Sequence, residues 1–289
     1  MTGGGPWLTV VICTRDRPER LAPTLAALRG QTHPEFDVIV VDQSRGAAPR
    51  EPADEPPRVR VVPDPGVGAS RARNLGWRAA TTDWVAFFDD DCAPAADWVE
   101  RLAGVVEANP DATCVSGRMV EDGATVFAVP ARRRLEGRWV APWRVGFGAC
   151  LAVRQAMVGE IGGWDERLGP GDPDFPAAED MDFIYRLMRA HAVAYLVPGL
   201  EVRHAERREP GSLPALHRTY ARGFAGVATK QLRQGDVAGG LWLWALGLVD
   251  VAGNLAAALR HGSWSRVRVA AAKLRGLLSG TLKGVRRSW

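Results

Sequence analysis

Asp83-Trp84-Val85-Ala86-Phe87-Phe88-Asp89-Asp90-Asp91 is an apolar run closed by three carboxylates. A run of that length bounded by polar residues reads as a buried strand, and in open α/β sheets ligands gather outside the carboxyl ends of strands. The acids therefore mark a ligand crevice. Adjacent carboxylates repel one another and raise each other's pKa unless a cation lies between them, so the triplet reads as an oxygen-ligand site for Mg²⁺ or Mn²⁺ completed by substrate phosphates. Asp91 also precedes the helix-like stretch Pro94 to Asn109, which leaves a capping reading open.

Outward from this run the chain alternates. Trp7 to Cys13 and Val38 to Val41 are β-branched apolar runs, and Arg17 to Arg29 between them carries Leu21, Leu25 and Leu28 at helical spacing. A Pro-rich loop from Ala47 to Pro57 leads to a strand at Val59 to Val62, the turn Pro63-Asp64-Pro65-Gly66 and a helix over Ala69 to Ala80. Strand and helix in alternation predict an α/β domain with a mostly parallel central sheet and flanking helices. Further on, Phe147 to Val153, Ala192 to Val197 and Leu200 to His204 read as strands, and Asp180 to His191 as a helix. The run Arg132-Arg133-Arg134 reads as a solvated loop, with an acceptor-facing patch as the alternative. Helical patterns at Leu213 to Leu232, Leu241 to Leu259 and Ser263 to Val285 close the chain. The break at Gly235-Asp236 divides it into a main domain, 1–235, with halves of about 7–118 and about 119–235, and a basic helical C-terminal appendage, 236–289.

With 46% hydrophobic and 24% charged residues, the 289-residue chain has the composition of a globular protein. Cys13, Cys92, Cys114 and Cys150 lack CxxC spacing, which argues against a zinc module or disulfide framework and fits a reducing cytosol. Met1 to Pro6 has no basic region followed by an apolar one, so a secretory signal is not expected. The net charge of +4 is uneven. Val251 to Trp289 holds eight Lys/Arg and no acid, while residues 1–250 hold 29 basic and 33 acidic residues. An anionic surface partner is therefore expected at the tail.

Four motifs occur in a fixed order. Val38-Ile39-Val40-Val41-Asp42 is a buried strand ending in an acid suited to a nucleotide base or ribose. Gly66-Val67-Gly68-Ala69-Ser70-Arg71-Ala72-Arg73 is a glycine turn feeding a helix whose arginines reach phosphate or base. The acid triplet is the third. Ile161-Gly162-Gly163-Trp164-Asp165-Glu166-Arg167-Leu168, followed by Glu179-Asp180-Met181-Asp182, is the fourth.

The set resembles the family 2 glycosyltransferases, inverting nucleotide-sugar transferases of GT-A fold, over roughly residues 7 to 232. The triplet resembles that family's DXD element, Gly162 to Leu168 its "GGFDE" loop with Trp164 for Phe, and Glu179-Asp180 its "ED" signature. The resemblance implies that Asp42 contacts the base and Arg73 supports the nucleotide pocket, which Thr14, Arg15, Asp89 and Asp90 complete. It implies a metal held by Asp91, Asp89 and His204, and Asp180, with Glu179, as the catalytic base. Trp164 and Asp165 fall in the sugar and acceptor pocket. Cys13-Thr14-Arg15-Asp16-Arg17 departs from the family's Pro-x-Tyr/Asn-like element, leaving base preference open. The implied donor is a UDP-sugar, with dTDP or GDP as alternatives, and the acceptor a hydroxyl of a glycan, a lipid-linked molecule or a small molecule. A sugar nucleotidyltransferase or a non-catalytic nucleotide- or glycan-binding module is the rival reading.

Val237 to Leu259 is mostly apolar but carries Asp250 and Asn254, so spanning a bilayer is disfavoured. The alternatives are an interfacial helix, packing on the catalytic domain, or self-association as a homodimer. No nucleic-acid partner is expected. The expected location is cytoplasmic, peripheral on the inner face of the cell membrane, with the basic tail as anchor.

Overall fold

The computed structural model describes residues 5–46, 57–121, 124–205 and 213–289. Of the expected Pro-rich loop, all but Pro57 lies outside the described residues. The chain divides into two compact units, Met1–Trp164 with Phe183–Arg207, and Asp165–Asp182 with Arg208–Trp289. That division differs from the sequence boundary at Gly235-Asp236.

The first unit is built on a ten-stranded sheet. Its strands are β1 (Leu8–Thr14), β2 (Phe36–Asp42), β3 (Arg58–Pro63), β4 (Trp84–Asp89), β5 (Cys92–Pro94), β6 (Cys114–Glu121), β7 (Ala124–Phe127), β8 (Arg133–Leu135), β9 (Leu151–Arg154) and β10 (Ala194–His204). The spatial order is β3-β2-β1-β4-β9-β6-β10-β5, with β7 on β6 and β8 on β10. β3, β2, β1 and β4 run parallel, as the alternation predicts, and β9 enters antiparallel to both β4 and β6. The architecture is α/β, with a central sheet covered by helices and a helical C-terminal region, as the alternation predicts. From β1 the chain moves to β2 on one side and later to β4 on the other, so the carboxyl ends of β1 and β4 border the crevice where the order reverses.

Period-two alternation sorts the strand residues onto two covered faces. Val10, Ile12, Val38, Val40, Ala86 and Phe88 pack with Leu21, Leu25 and Leu28 of α1 (Pro18–Arg29) and with Trp98, Val99 and Leu102 of α3 (Trp98–Ala108). Val11, Ile39, Val41, Val85 and Phe87 pack on the opposite face. There they meet Ala72 of α2 (Ala69–Ala79), Val158 of α4 (Gln155–Glu160), and Phe183, Ile184 and Leu187 of α5 (Glu179–Arg189). α2 lies so close to the sheet that a β-carbon at Gly76 would collide with Val11.

Four elements differ from the sequence expectation; in the strand expected over Phe147 to Val153, Gly148–Cys150 forms a short 3-10 turn and the strand begins at Leu151. The helix expected from Pro94 begins at Trp98, because Cys92–Pro94 pairs with β10 as a short strand. The two late strands are one, β10, whose register on β6 shifts between Leu196 and Glu201 around Pro198, a residue with no N–H for the ladder. Arg133 and Arg134 belong to β8, paired with β10, and Arg134 forms ion pairs with Asp111 (3.0 Å) and Glu136 (2.8 Å), so that run is not a free loop.

The second unit joins Asp165–Asp182 to α6 (Leu213–Arg233), α7 (Val237–His261) and α8 (Trp264–Arg286). Asp236 caps α7, its carboxylate accepting from the Gly239 amide (3.1 Å), and Gly262 ends that helix in the left-handed conformation. Gly276, Gly280 and Gly284 form a small-residue stripe on α8. Added β-carbons there would strike Arg218 and Ala221, Arg222 and Ala225, and Thr229 of α6 respectively. The last residues fold onto the 165–182 segment: Arg287 pairs with Asp172 (2.6 Å), Lys283 with Asp174, and the Trp289 ring lies 5.3 Å from that of Phe175.

Candidate active site

β4 delivers the acid triplet to the crevice, and each carboxylate has its own cation. Asp89, the most exposed of the three, accepts a hydrogen bond from Arg73 Nη2 (2.9 Å). Asp90 is fully buried, accepts from the Thr14 hydroxyl (2.7 Å) and pairs with Arg17 (2.9 Å). Burial raises its pKa, against the Thr14 hydrogen bond and the Arg17 charge. Asp91 pairs with Arg20 (2.8 Å) and with His204 Nε2 (3.2 Å). Burial alone would raise the Asp91 carboxyl, but the hydrogen bond and charge of His204, then Arg20, outweigh it and hold the pKa at about 2.

Strand pairing explains how His204, 113 positions after Asp91, reaches it. β10 lies between β6 and β5, which sets His204 beside Glu121 in one register and beside Cys92 in the other. Its Nδ1 faces Glu121 Oε1 at 3.1 Å while Nε2 faces Asp91. Burial opposes protonation, yet the Asp91 hydrogen bond and the surrounding acids raise the imidazole to about 9. Glu121 thus fixes the ring as a second carboxylate fixes a metal-bound histidine.

Ligand atoms of Asp89, Asp91, Cys92 and His204 all lie within 4.8 Å of one another. Burial, then the nearby Asp89 charge, pushes the Cys92 thiol well up, so it stays protonated and is a poor partner for a hard cation. Two carboxylates and an imidazole that gives up its Nε2 proton when a cation binds remain, a donor set that fits Mn²⁺ or Mg²⁺.

Asp42 stands beside Thr14 in the β1–β2 register. Its Oδ1 accepts from the Ser44 amide (2.8 Å), whereas Oδ2 is buried without a hydrogen-bond partner in a residue only 3% exposed. A buried carboxylate oxygen left so is costly unless a ligand donor meets it. The glycine turn beyond is tied by Asp64, which accepts from Arg71 (3.0 Å), Gln43 (2.8 Å) and the Gly66 amide (3.0 Å). Arg15 remains partly exposed beside Asp16 (3.8 Å).

Arg73 also lies over the Trp164 ring, 4.5 Å from its centroid. The other partners of that ring are Phe183, stacked at 4.1 Å and 6°, and the edge-on Phe87. Trp164 is 2% exposed and its backbone is held at both N–H and C=O by the Asn74 amide side chain. The structure therefore places it in the core beneath Arg73, without an open face for a sugar.

In the second unit Asp165 is occupied by Arg167 (2.9 Å) and Lys230 (2.7 Å) rather than open to an acceptor. The Glu179-Asp180 turn follows Ala178, a non-glycine residue at φ 74, a strained conformation of the kind found at functional sites. Asp180 Oδ1 accepts from the Met181 amide (2.8 Å), and Glu179 is buried against Gly169. One face of α6 supports this turn: Gly223 lies against the Ala177 carbonyl, Gly226 against Phe175, and Lys230 pairs with Asp182 at 2.7 Å.

Sequence reasoning missed Arg17, Arg20, Glu121 and Lys230. Arg17 and Arg20 sit at the start of α1, and nothing in their spacing marks them as partners of acids 70 residues on. Glu121 and Lys230 act only through strand pairing and helix packing.

The family profile described as glycosyl transferase family 2 matches residues 9–156, about half of the chain. A glucosyl-dolichyl phosphate glucuronosyltransferase of Haloferax volcanii is 30% identical over 189 residues, covering 60% of this chain and 60% of that protein. A pre-mycofactocin glycosyltransferase of Mycobacterium tuberculosis is 31% identical over 217 residues, covering 70% of this chain and 43% of its own length. The chain thus spans three fifths or less of these two relatives. Among solved structures, the mannosyltransferase PcManGT from Pyrobaculum calidifontis, in complex with GDP-Man and Mn²⁺, aligns over 97% of this chain and 87% of its own with a TM-score of 0.63 at 16% identity. With the profile match over residues that include the acid triplet, Asp42 and Arg73, the chain belongs to glycosyltransferase family 2.

Proposed function

We propose that this protein is an inverting, divalent-metal-dependent glycosyltransferase that moves a sugar from a nucleoside-diphosphate sugar to an acceptor hydroxyl. The observation that carries the reading is the pairing of a compact Asp89, Asp91 and His204 donor set with a buried, unsatisfied Asp42 oxygen, both at strand ends bordering one crevice. Asp42 Oδ2 accepts a base N–H or ribose hydroxyl, and Arg73 contributes positive charge beside Asp89. A divalent cation held by Asp89, Asp91 and His204 supplies Lewis-acid neutralisation of charge on the leaving diphosphate. Asp180 removes the acceptor proton; inversion needs this single base.

UDP-sugars are the first donors to test, with dTDP- and GDP-sugars next; the PcManGT complex with GDP-Man and Mn²⁺ supports the donor class and the metal. The dolichyl phosphate in the name of the Haloferax volcanii relative supports a lipid-linked acceptor. Screening nucleoside-diphosphate sugars for slow hydrolysis with Mn²⁺ tests the reading without the acceptor. Release of nucleoside diphosphate from one donor, abolished by chelator, is the expected result; no release from any donor with either metal overturns it.

A further inference from the structure

Packing within the second unit sorts the tail's eight basic residues into two groups. Lys273 pairs with Asp250 (2.7 Å), Lys283 with Asp174 and Arg287 with Asp172, so three are spent holding α7, α8 and the 165–182 segment together. Arg260, Arg266, Arg268, Arg275 and Arg286 are exposed, and none has an acidic partner among the described residues.

The apolar residues of the same helices are sorted as well. On α8, Leu274, Leu278, Leu282 and Val285 follow at helical spacing and are 41, 51, 60 and 56% exposed, while the glycine stripe on another face is buried against α6. Arg275 and Arg286 each follow a residue of this apolar row, as Arg268 follows Val267, so a line of guanidinium groups runs along its edge. α7 repeats the pattern. Gly240, Leu243 and Gly247 are buried, and Leu241, Leu248, Val249, Leu255 and Leu259 are exposed on another side. Trp264, 80% exposed, stands at the bend between the helices.

We propose that the outward faces of α7 and α8 dock the protein on an anionic lipid surface, the apolar rows entering the acyl boundary and Arg268, Arg275 and Arg286 meeting lipid phosphates. Charge complementarity selects this occupant. A second copy applied through the same face would set arginine rows against each other, since no acid follows Asp250 and Asp250 itself is paired. A nucleic acid would meet the arginines but leave the leucine rows in water. α7 is long and apolar enough to cross a bilayer, but its glycine face is packed on α6 and α8, and Asp250 lies near its middle. A helix apolar on one side and packed on the other lies in the interface. The proposal does not depend on the catalytic reading.

The test is flotation of the full chain with phosphatidylglycerol–phosphatidylcholine vesicles and with pure phosphatidylcholine vesicles, alongside its mass in solution by light scattering. Wild type is expected to float with the anionic vesicles alone and to be released by high salt. The triple variant Arg268→Gln, Arg275→Gln, Arg286→Gln is expected to bind roughly a hundredfold more weakly with unchanged circular dichroism. Leu274→Ser with Leu278→Ser removes flotation; should that variant misfold, the arginine variant decides alone. Wild type that stays soluble with anionic vesicles overturns the proposal, as does undiminished binding by the arginine variant. So does a dimer in solution that Leu278→Ser splits.

Discussion

Lys230 Nζ lies 2.7 Å from Asp165 and 2.7 Å from Asp182, so one ammonium on α6 joins the start of the 165–182 segment to the first turn of α5. Asp182 and Lys230 are almost wholly buried, and Arg167 supplies the second positive charge through Asp165. Four charges neutralise one another there, next to the turn that carries Glu179 and Asp180.

Removing the shared cation leaves the buried Asp182 without its ammonium and Asp165 with Arg167 alone. Lys230→Met is expected to cost about 3–5 kcal/mol in equilibrium denaturation. A variant within 1 kcal/mol of wild type would mean that these carboxylates are neutralised by something other than Lys230.

Burial opposes ionisation of Asp165, but the hydrogen bond from Arg167 and the charge of Lys230 overcome it and hold its carboxyl well below the usual range. A depressed folded pKa contributes stability that is fully present above the unfolded value, about 3.9, and is lost as pH falls towards the folded one. Wild type should therefore lose stability below about pH 4 along a limb that Asp165→Asn flattens. Melting temperatures taken down the acid range measure it, and parallel curves for the two proteins would refute it.

Nucleoside diphosphate is expected to bind tightly only with Mn²⁺ or Mg²⁺, because Asp89 and Asp91 repel a diphosphate unless a cation lies between them. In calorimetric titrations Asp91→Ala with metal should match wild type with chelator. Equal affinity of wild type in both conditions would remove the metal from the reading.

Asp42→Ala removes the unsatisfied Oδ2 that awaits a donor. Nucleotide affinity should fall about tenfold or more, the worth of one hydrogen bond to a charged group, while the fold is kept. Unchanged affinity would place the base elsewhere.

Asp180→Asn keeps the shape of the turn and removes the basic lone pair. Turnover should fall about 10²–10⁴-fold with donor affinity nearly unchanged. If Glu179→Gln has that effect and Asp180→Asn does not, Glu179 is the base.

The sequence by itself determined the α/β alternation, the parallel sense of the early strands and the position of the acids at strand ends, because these follow from local periodicity and from the alternation of strand with helix. A strand such as Phe36–Asp42 carries its own burial pattern and its own terminal acid. Tertiary structure alone decided which groups face those acids. His204 reaches Asp91 through β10 pairing with β5 and β6, Arg17 and Arg20 through the placement of α1, and Trp164 is closed off by Phe183 and Arg73. It also decided that α8 is built onto α6 through Gly276, Gly280 and Gly284, where sequence read an appendage. The physical reason is range: hydrophobic periodicity acts between residues a few positions apart, whereas a charge pair or a helix contact depends on where distant chain segments come to lie.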